Sequence, residues 1–262
     1  MQQEQPDWDP RFSARSPIFE PLRDLARRFR RFHDWPGLSD LRELFEAAEL
    51  PVRPVPQDGK PGEFSSHYEP RIYLKGELQT RTGNWHDFFN ALVWLKFPLA
   101  KQELNRLHYE AASARAAGTN RSRIENDLTR FDECGAVLVS ADPDLLELVR
   151  EHRWKDLFVT ERSRFQANVR CFVFGHASFE KALTPYVGMT TNTLLIHEPA
   201  LLGAPWSDLD AHMAMLWAGA DEGRAPCLHP FPLLGVPGWF AANADPRFYD
   251  DERYFRAKRP RA

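Results

Sequence analysis

The densest hydrophobic pattern in the chain is NWHDFFNALVW, residues 84–94, where Trp85, Phe88, Phe89, Leu92 and Trp94 are large and apolar. A helix apolar on nearly every side belongs inside a core. Yet this one carries His86 and Asn90, four residues apart and so on one face, with Asp87 three before Asn90. After Phe97-Pro98 the pattern repeats: Lys101, Asn105 and His108 fall at i, i+4 and i+7. Proline favours a first helical turn, so residues 83–118 are expected to form two helices meeting there.

The rest of the chain divides by the same periodicities. Phe19, Leu22, Leu25, Phe29 and Phe32 predict an amphipathic helix over 16–32, covered elsewhere by Arg23, Arg27, Arg28, Arg30 and Arg31. A second helix is expected over 38–50 and a proline-rich loop over 51–67. RIYLKGELQTR, 71–81, reads as one or two short strands. Ile124, Leu128 and Phe131 define a helix ending near Cys134. Strands follow at 135–141, 169–175 and 191–198, with helices at 142–153, 176–185 and 207–220. Asp142 or Asp144 is expected to cap the first of these helices, and Ser207 or Asp208 the last. The expected fold class is α+β: a mainly helical single domain over 15–257 with a small β-sheet and an extended proline- and aromatic-rich C-terminal segment. An N-terminal extension (1–14) and a frayed tail (258–262) flank it.

Composition narrows the function classes. At 262 residues the chain is long enough for a core without disulfides or metals. Its net charge of −3 excludes a binder held by bulk positive charge, though not a local basic patch. Cys134, Cys171 and Cys227 contain no C-x-x-C pair, and the N-terminus has no secretory signal; a reduced, cytoplasmic protein is expected. No run of apolar residues is long enough for a membrane span. Phosphate-cradling G-x-x-x-x-G-K-[ST] and G-x-G-x-x-G motifs, the G-x-S-x-G elbow and H-E-x-x-H are all absent.

The polar stripes of the two helices are therefore the candidate chemistry. Buried polar groups must be bonded, so the stripes must find each other, a metal, a ligand or water. The expected catalytic set is His86, Asp87, Asn90, His108 and His176; the ordinary alternative is a polar network tying helices together. His176 qualifies because it follows Gly175 at the end of a buried strand. Asp132 and Glu133 sit at a helix C-terminus, where the dipole disfavours negative charge, and call for Arg81, Arg121, Lys101 or a metal nearby. A divalent metal is the candidate cofactor, with His86, Asp87, His108, Asp132 and Glu133 as candidate ligands. Arg81, Asn84, Lys101, Asn105 and Arg121 are the candidate substrate-binding residues.

Several strings carry a resemblance: YEPRI (68–72), TRTGNWHDFFNALVWLKFP (80–98), KQELNRLHY (101–109), LTRFDECGAVL (128–138), FVFGHASFEK (172–181) and LLGVPGW with FYDD and FR behind it (233–256). Together they resemble the proteobacterial family catalogued as domain of unknown function 3025. That resemblance implies a single cytoplasmic bacterial domain and brings no assigned activity. The His86-Asp87 pair also looks like the paired His-Asp of helical metal-dependent phosphohydrolases. That family needs further helical ligands, for which His108 and Asp132 are available. The resulting expectation is a hydrolase-like enzyme with a His/Asp/Asn cleft acting on a phosphate-containing substrate. The rival expectations are an RNA- or protein-binding module using the arginine-rich helix, and a small-molecule binder without chemistry.

Overall fold

The computed structural model describes residues 6–59, 62–115, 120–221 and 224–258. The chain opens with 3-10 turns at Phe12–Ala14 and Pro17–Leu22, then α1 (Arg23–Arg28), α2 (Leu38–Ala47), β1 (Arg53–Val55), α3 (Tyr68–Lys75) and β2 (Glu77–Gln79). The long pair α4 (Trp85–Lys96) and α5 (Pro98–Ala114) follows, then α6 (Arg123–Cys134), β3 (Gly135–Ser140) and α7 (Pro143–Arg150). A π turn at Asp156–Thr160 leads to α8 (Arg162–Asn168), β4 (Val169–Val173), α9 (His176–Ala182), β5 (Thr190–His197), α10 (Trp206–Ala218) and β6 (His229–Pro232). The protein is a mainly helical α+β fold.

The larger sheet has the order β4-β3-β5-β6. β3 pairs antiparallel with β4 and parallel with β5, and β6 closes the far edge antiparallel to β5. All six residues of β3 are buried, as its apolar sequence requires of a central strand. The helices pack round this sheet. The α4–α5 joint at Pro98 forms as expected, and Trp85, Phe88, Phe89, Leu92 and Trp94 are all buried.

Several local expectations are corrected. Residues 16–32 do not make one helix: the stretch begins as 3-10 with Pro21 inside it and only becomes α-helical at Arg23. Proline has no N–H to give the helical ladder. Of the stretch 71–81, only Glu77–Gln79 is strand; residues 71–75 belong to helix α3, because Ile72 faces the core and Gly76 ends the helix in the left-handed region at φ 63°. The loop at 51–67 contains β1, which pairs in parallel with β2. α10 is preceded by Pro205 at its N-cap, with no side-chain cap bond, so Ser207 and Asp208 lie inside the helix.

The described residues nearest each end pack onto the fold. Phe12 is fully buried, and Trp8 stacks on Trp85 at 5.1 Å, so residues 6–14 pack into the core. In the C-terminal segment, Asn243 donates to the carbonyls of Leu234 and Val236, and the Tyr254 hydroxyl donates to that of Met189. Lys258 pairs with Glu151 at 2.6 Å; residues 259–262 of the expected tail lie outside the described residues. The three cysteines are free.

Candidate metal centre and cavity

Three helices meet at one point. α4 brings His86 on its first turn, α6 brings Asp132 and Glu133 on its last, and α9 begins with His176. The meeting depends on Gly175. The N–H groups of Phe174 and Gly175 both donate to the Gly135 carbonyl, at 3.0 and 2.9 Å. A Cβ on Gly175 would lie 2.3 Å from the Gly135 nitrogen and 2.5 Å from the Glu133 carbonyl oxygen. Only glycine lets the start of α9 come this close to the end of α6.

The result is a cluster of three donors, His86, Glu133 and His176, with one ligand atom of each within 4.8 Å of the others. The two histidine Nε2 atoms are 3.0 Å apart. Glu133 Oε2 lies 3.6 Å from His176 Nε2 and 4.0 Å from His86 Nε2. Donors sharing one tetrahedral zinc are separated by roughly 3.3 Å, so these spacings fit a single cation.

The hydrogen atoms make the same case. His86 Nδ1 lies 2.9 Å from Glu180 Oε2, and that carboxylate raises the histidine pKa despite partial burial. Nδ1 therefore holds a proton, and in the neutral ring it is Nε2 that presents its lone pair. His176 is 3% exposed, and burial pushes its pKa down to about 3, so its ring is neutral. If His176 donates from Nε2 to His86, its Nδ1 is left bare. That buried Nδ1 makes no well-formed hydrogen bond: the ring lies beside the Asp132 backbone carbonyl, and Nδ1 faces Asp132 Oδ2 at 3.7 Å, a lone pair against a carboxylate. A cation between the two Nε2 atoms reverses this. His176 would then carry its proton on Nδ1, pointed at an acceptor, as metal-bound histidines commonly do.

Behind His176 lies a buried ion pair. Lys101 Nζ donates to Asp132 Oδ1 at 2.5 Å and to Asn90 Oδ1 at 3.0 Å. Burial opposes ionisation of Asp132, but Lys101, together with the neighbouring histidines, holds the carboxyl below its ordinary range. Of the four positive partners offered by the sequence for Asp132, the structure supplies Lys101. The Lys101–Asn90 bond joins the two polar stripes, and Asn90 in turn donates to the Tyr68 hydroxyl at 2.6 Å.

The cluster sits in the wall of a cavity of about 840 Å³, within the range of small-molecule sites. Tyr68, His108, Arg81, Arg115 and Arg121 also line it. The remaining candidates take other places. Asp87 is not in the donor cluster: it accepts two guanidinium bonds from Arg81, at 2.8 and 2.9 Å, and the Arg81 backbone N–H at 2.7 Å. Asn84 caps α4 by accepting the Asp87 N–H. His108 and Asp132 line the cavity outside the three-donor set. Lys101 is 4% exposed and does not line the large cavity, and Asn105 is spent on the Glu69 carboxylate at 2.6 Å. Arg121 stays at the cavity, donating to Thr129 at 3.3 Å.

Sequence reasoning missed Glu180, Tyr68 and Arg115. Glu180 had a signal, since it stands four residues after His176 on one helical face. Tyr68 had none, because its segment read as lying before a strand.

Fold and site together define a mainly helical α+β domain with a histidine–carboxylate donor cluster in a cavity wall. The chain belongs to the family described as protein of unknown function DUF3025, whose model matches residues 52–259. No curated protein and no solved structure matches the chain.

Proposed function

We propose that this chain is a metal-dependent hydrolase acting on a phosphate-containing substrate. The observation that carries the reading is the convergence of His86 Nε2, His176 Nε2 and Glu133 in the wall of a roomy cavity. Three protein ligands and an open side facing a cavity is the arrangement of catalytic rather than structural metal sites. A bound divalent cation would supply Lewis acidity and lower the pKa of a water ligand. The chain's own part is to hold the donors: Glu180 fixes the ring of His86 through Nδ1. Arg81, Arg115 and Arg121 offer guanidinium groups to an anionic substrate. Asp87 keeps Arg81 in place through its paired bonds.

Metal analysis of tag-free protein is the test, together with calorimetric titration of Zn²⁺ and Mn²⁺ and a phosphoester screen. The expected result is about one metal per chain, lost in His86→Ala and in His176→Ala, with metal-dependent phosphoester cleavage. Absence of stoichiometric metal under every condition would overturn the reading. The rival docking of a polyanion on the arginine-rich segment has less support. Arg23, Arg27, Arg28, Arg30 and Arg31 are all exposed, but Arg27 pairs with Asp24 at 3.6 Å. The groove beside Arg28 and Arg31 is also lined by Asp40 and Glu43. Among the described residues no helix is long and apolar enough to cross a membrane.

A further inference from the structure

Lys101 and Asp132 are charged groups buried to 4% and 9% exposure, and the hydrolytic reading gives them no task. Burying an ion pair costs desolvation that its mutual attraction rarely repays, so a site that keeps one invites a functional explanation. Three observations give one. Lys101 is immobilised: its ammonium is bonded to Asn90 and Asp132 and lies 5.3 Å from the Trp94 ring centroid. Asp132 uses Oδ1 for Lys101 and turns Oδ2 toward His176 Nδ1. And that Nδ1 is buried with no well-formed hydrogen bond as the ring stands.

We propose that Lys101 and Asp132 are a positioning pair for the metal centre. Lys101 locks the Asp132 carboxylate behind His176, and Asp132 accepts the Nδ1 proton that His176 must carry when its Nε2 binds a cation. The two histidine ligands are then backed alike, His86 by Glu180 and His176 by Asp132. The difference is that Asp132 is itself held by a buried cation, which fixes its direction. Neither residue touches substrate. This rests on the metal centre proposed above.

The test uses the full chain and Co²⁺ as the probe, read by visible absorption and by titration, in wild type, Asp132→Asn and Lys101→Met. Asp132→Asn keeps the shape and removes the charged acceptor. The expected result is a roughly 10–100-fold weaker Co²⁺ affinity in Asp132→Asn, with an altered d–d absorption band and native circular dichroism. Lys101→Met should move both readouts the same way if it folds; if it does not, Asp132→Asn decides alone. Folded Asp132→Asn with unchanged affinity and unchanged band overturns the positioning role. A wild-type chain that binds no Co²⁺ overturns the metal centre itself, which is a distinguishable failure.

Discussion

Glu180 stands one helical turn after His176 on α9 and reaches across to α4, where its carboxylate meets His86 Nδ1 at 2.9 Å. One short helix thus supplies both a histidine of the donor cluster and the carboxylate that orients the other histidine. Glu180→Gln leaves the shape but removes the charged acceptor that fixes the His86 tautomer. Orienting partners of this kind are worth roughly 10–100-fold in metal affinity. The expected outcome is a Zn²⁺ affinity lower by that factor in calorimetry, with the melting temperature little changed. Equal affinity would mean that His86 needs no help from Glu180.

Gly175 is the position where backbone geometry makes the site. A methyl group there would meet the Gly135 nitrogen, the Glu133 carbonyl and the Cys134 nitrogen, the last at 2.6 Å. All three are backbone atoms and cannot swing aside, so α9 must move away from α6. Overpacking of this kind costs about 1–3 kcal/mol. Gly175→Ala should lower stability by that amount in urea denaturation. It should also weaken metal binding, because His176 moves with α9. A stable variant with intact metal affinity would show that the contact is looser than drawn.

Those two glycines also explain what could be read from the chain and what could not. The i, i+4 spacing of His86 with Asn90, and the i, i+4, i+7 spacing of Lys101, Asn105 and His108, announce two polar faces on apolar helices. The proline between those helices announces that the faces meet. The Lys101–Asn90 bond is the outcome. Which acids join them depends on how α6 and α9 approach. That approach is set by a contact between residues forty positions apart, Gly135 and Gly175, which no periodicity carries. The short strands were hidden for a different reason. β1 and β6 are rich in proline, which reads as loop; β6 is tolerated at a sheet edge, and β1 in a two-stranded pair. Asp87 misled because its neighbour His86 belongs to the donor cluster, whereas successive helix residues point to different faces.

Asp210 predicts a pH dependence of stability away from the cavity. It reaches from α10 to the start of α5, accepting the N–H groups of Leu99 at 2.9 Å and Ala100 at 2.8 Å. Burial pushes its carboxyl up to about 6, and the two N–H bonds only partly offset this. The folded-state value is thus above the unfolded one, roughly 3.9. The group's contribution is fully present below the unfolded value and is lost as pH rises through about 6. Asp210→Asn keeps an acceptor and cannot ionise, so its stability should lack that decline. Asp210→Ala orphans both donors and should cost about 1–2 kcal/mol throughout. Urea unfolding of the three proteins across this pH range checks the sign. Parallel curves for wild type and Asp210→Asn would refute it.

The segment before the family match is expected to be part of the folding unit. The match begins at residue 52, yet Phe12 is fully buried with ring centroids 5.3 Å from Phe89, 5.5 Å from Trp85 and 5.6 Å from Phe19. Trp85 donates its indole N–H to the Pro6 carbonyl at 2.8 Å. These contacts cover the side of α4 that carries Trp85 and Phe89, and α4 carries His86. Truncating a buried phenylalanine costs about 3–5 kcal/mol, whereas a change in a surface arm costs less than about 0.5. Phe12→Ala should therefore fall in the first range by urea denaturation. It should also weaken Zn²⁺ binding indirectly, since the first turn of α4 loses its backing. A variant as stable as wild type would make residues 6–14 a dispensable arm and leave α4 to be held by its other neighbours, α5, α9 and the Pro17–Leu22 turn among them.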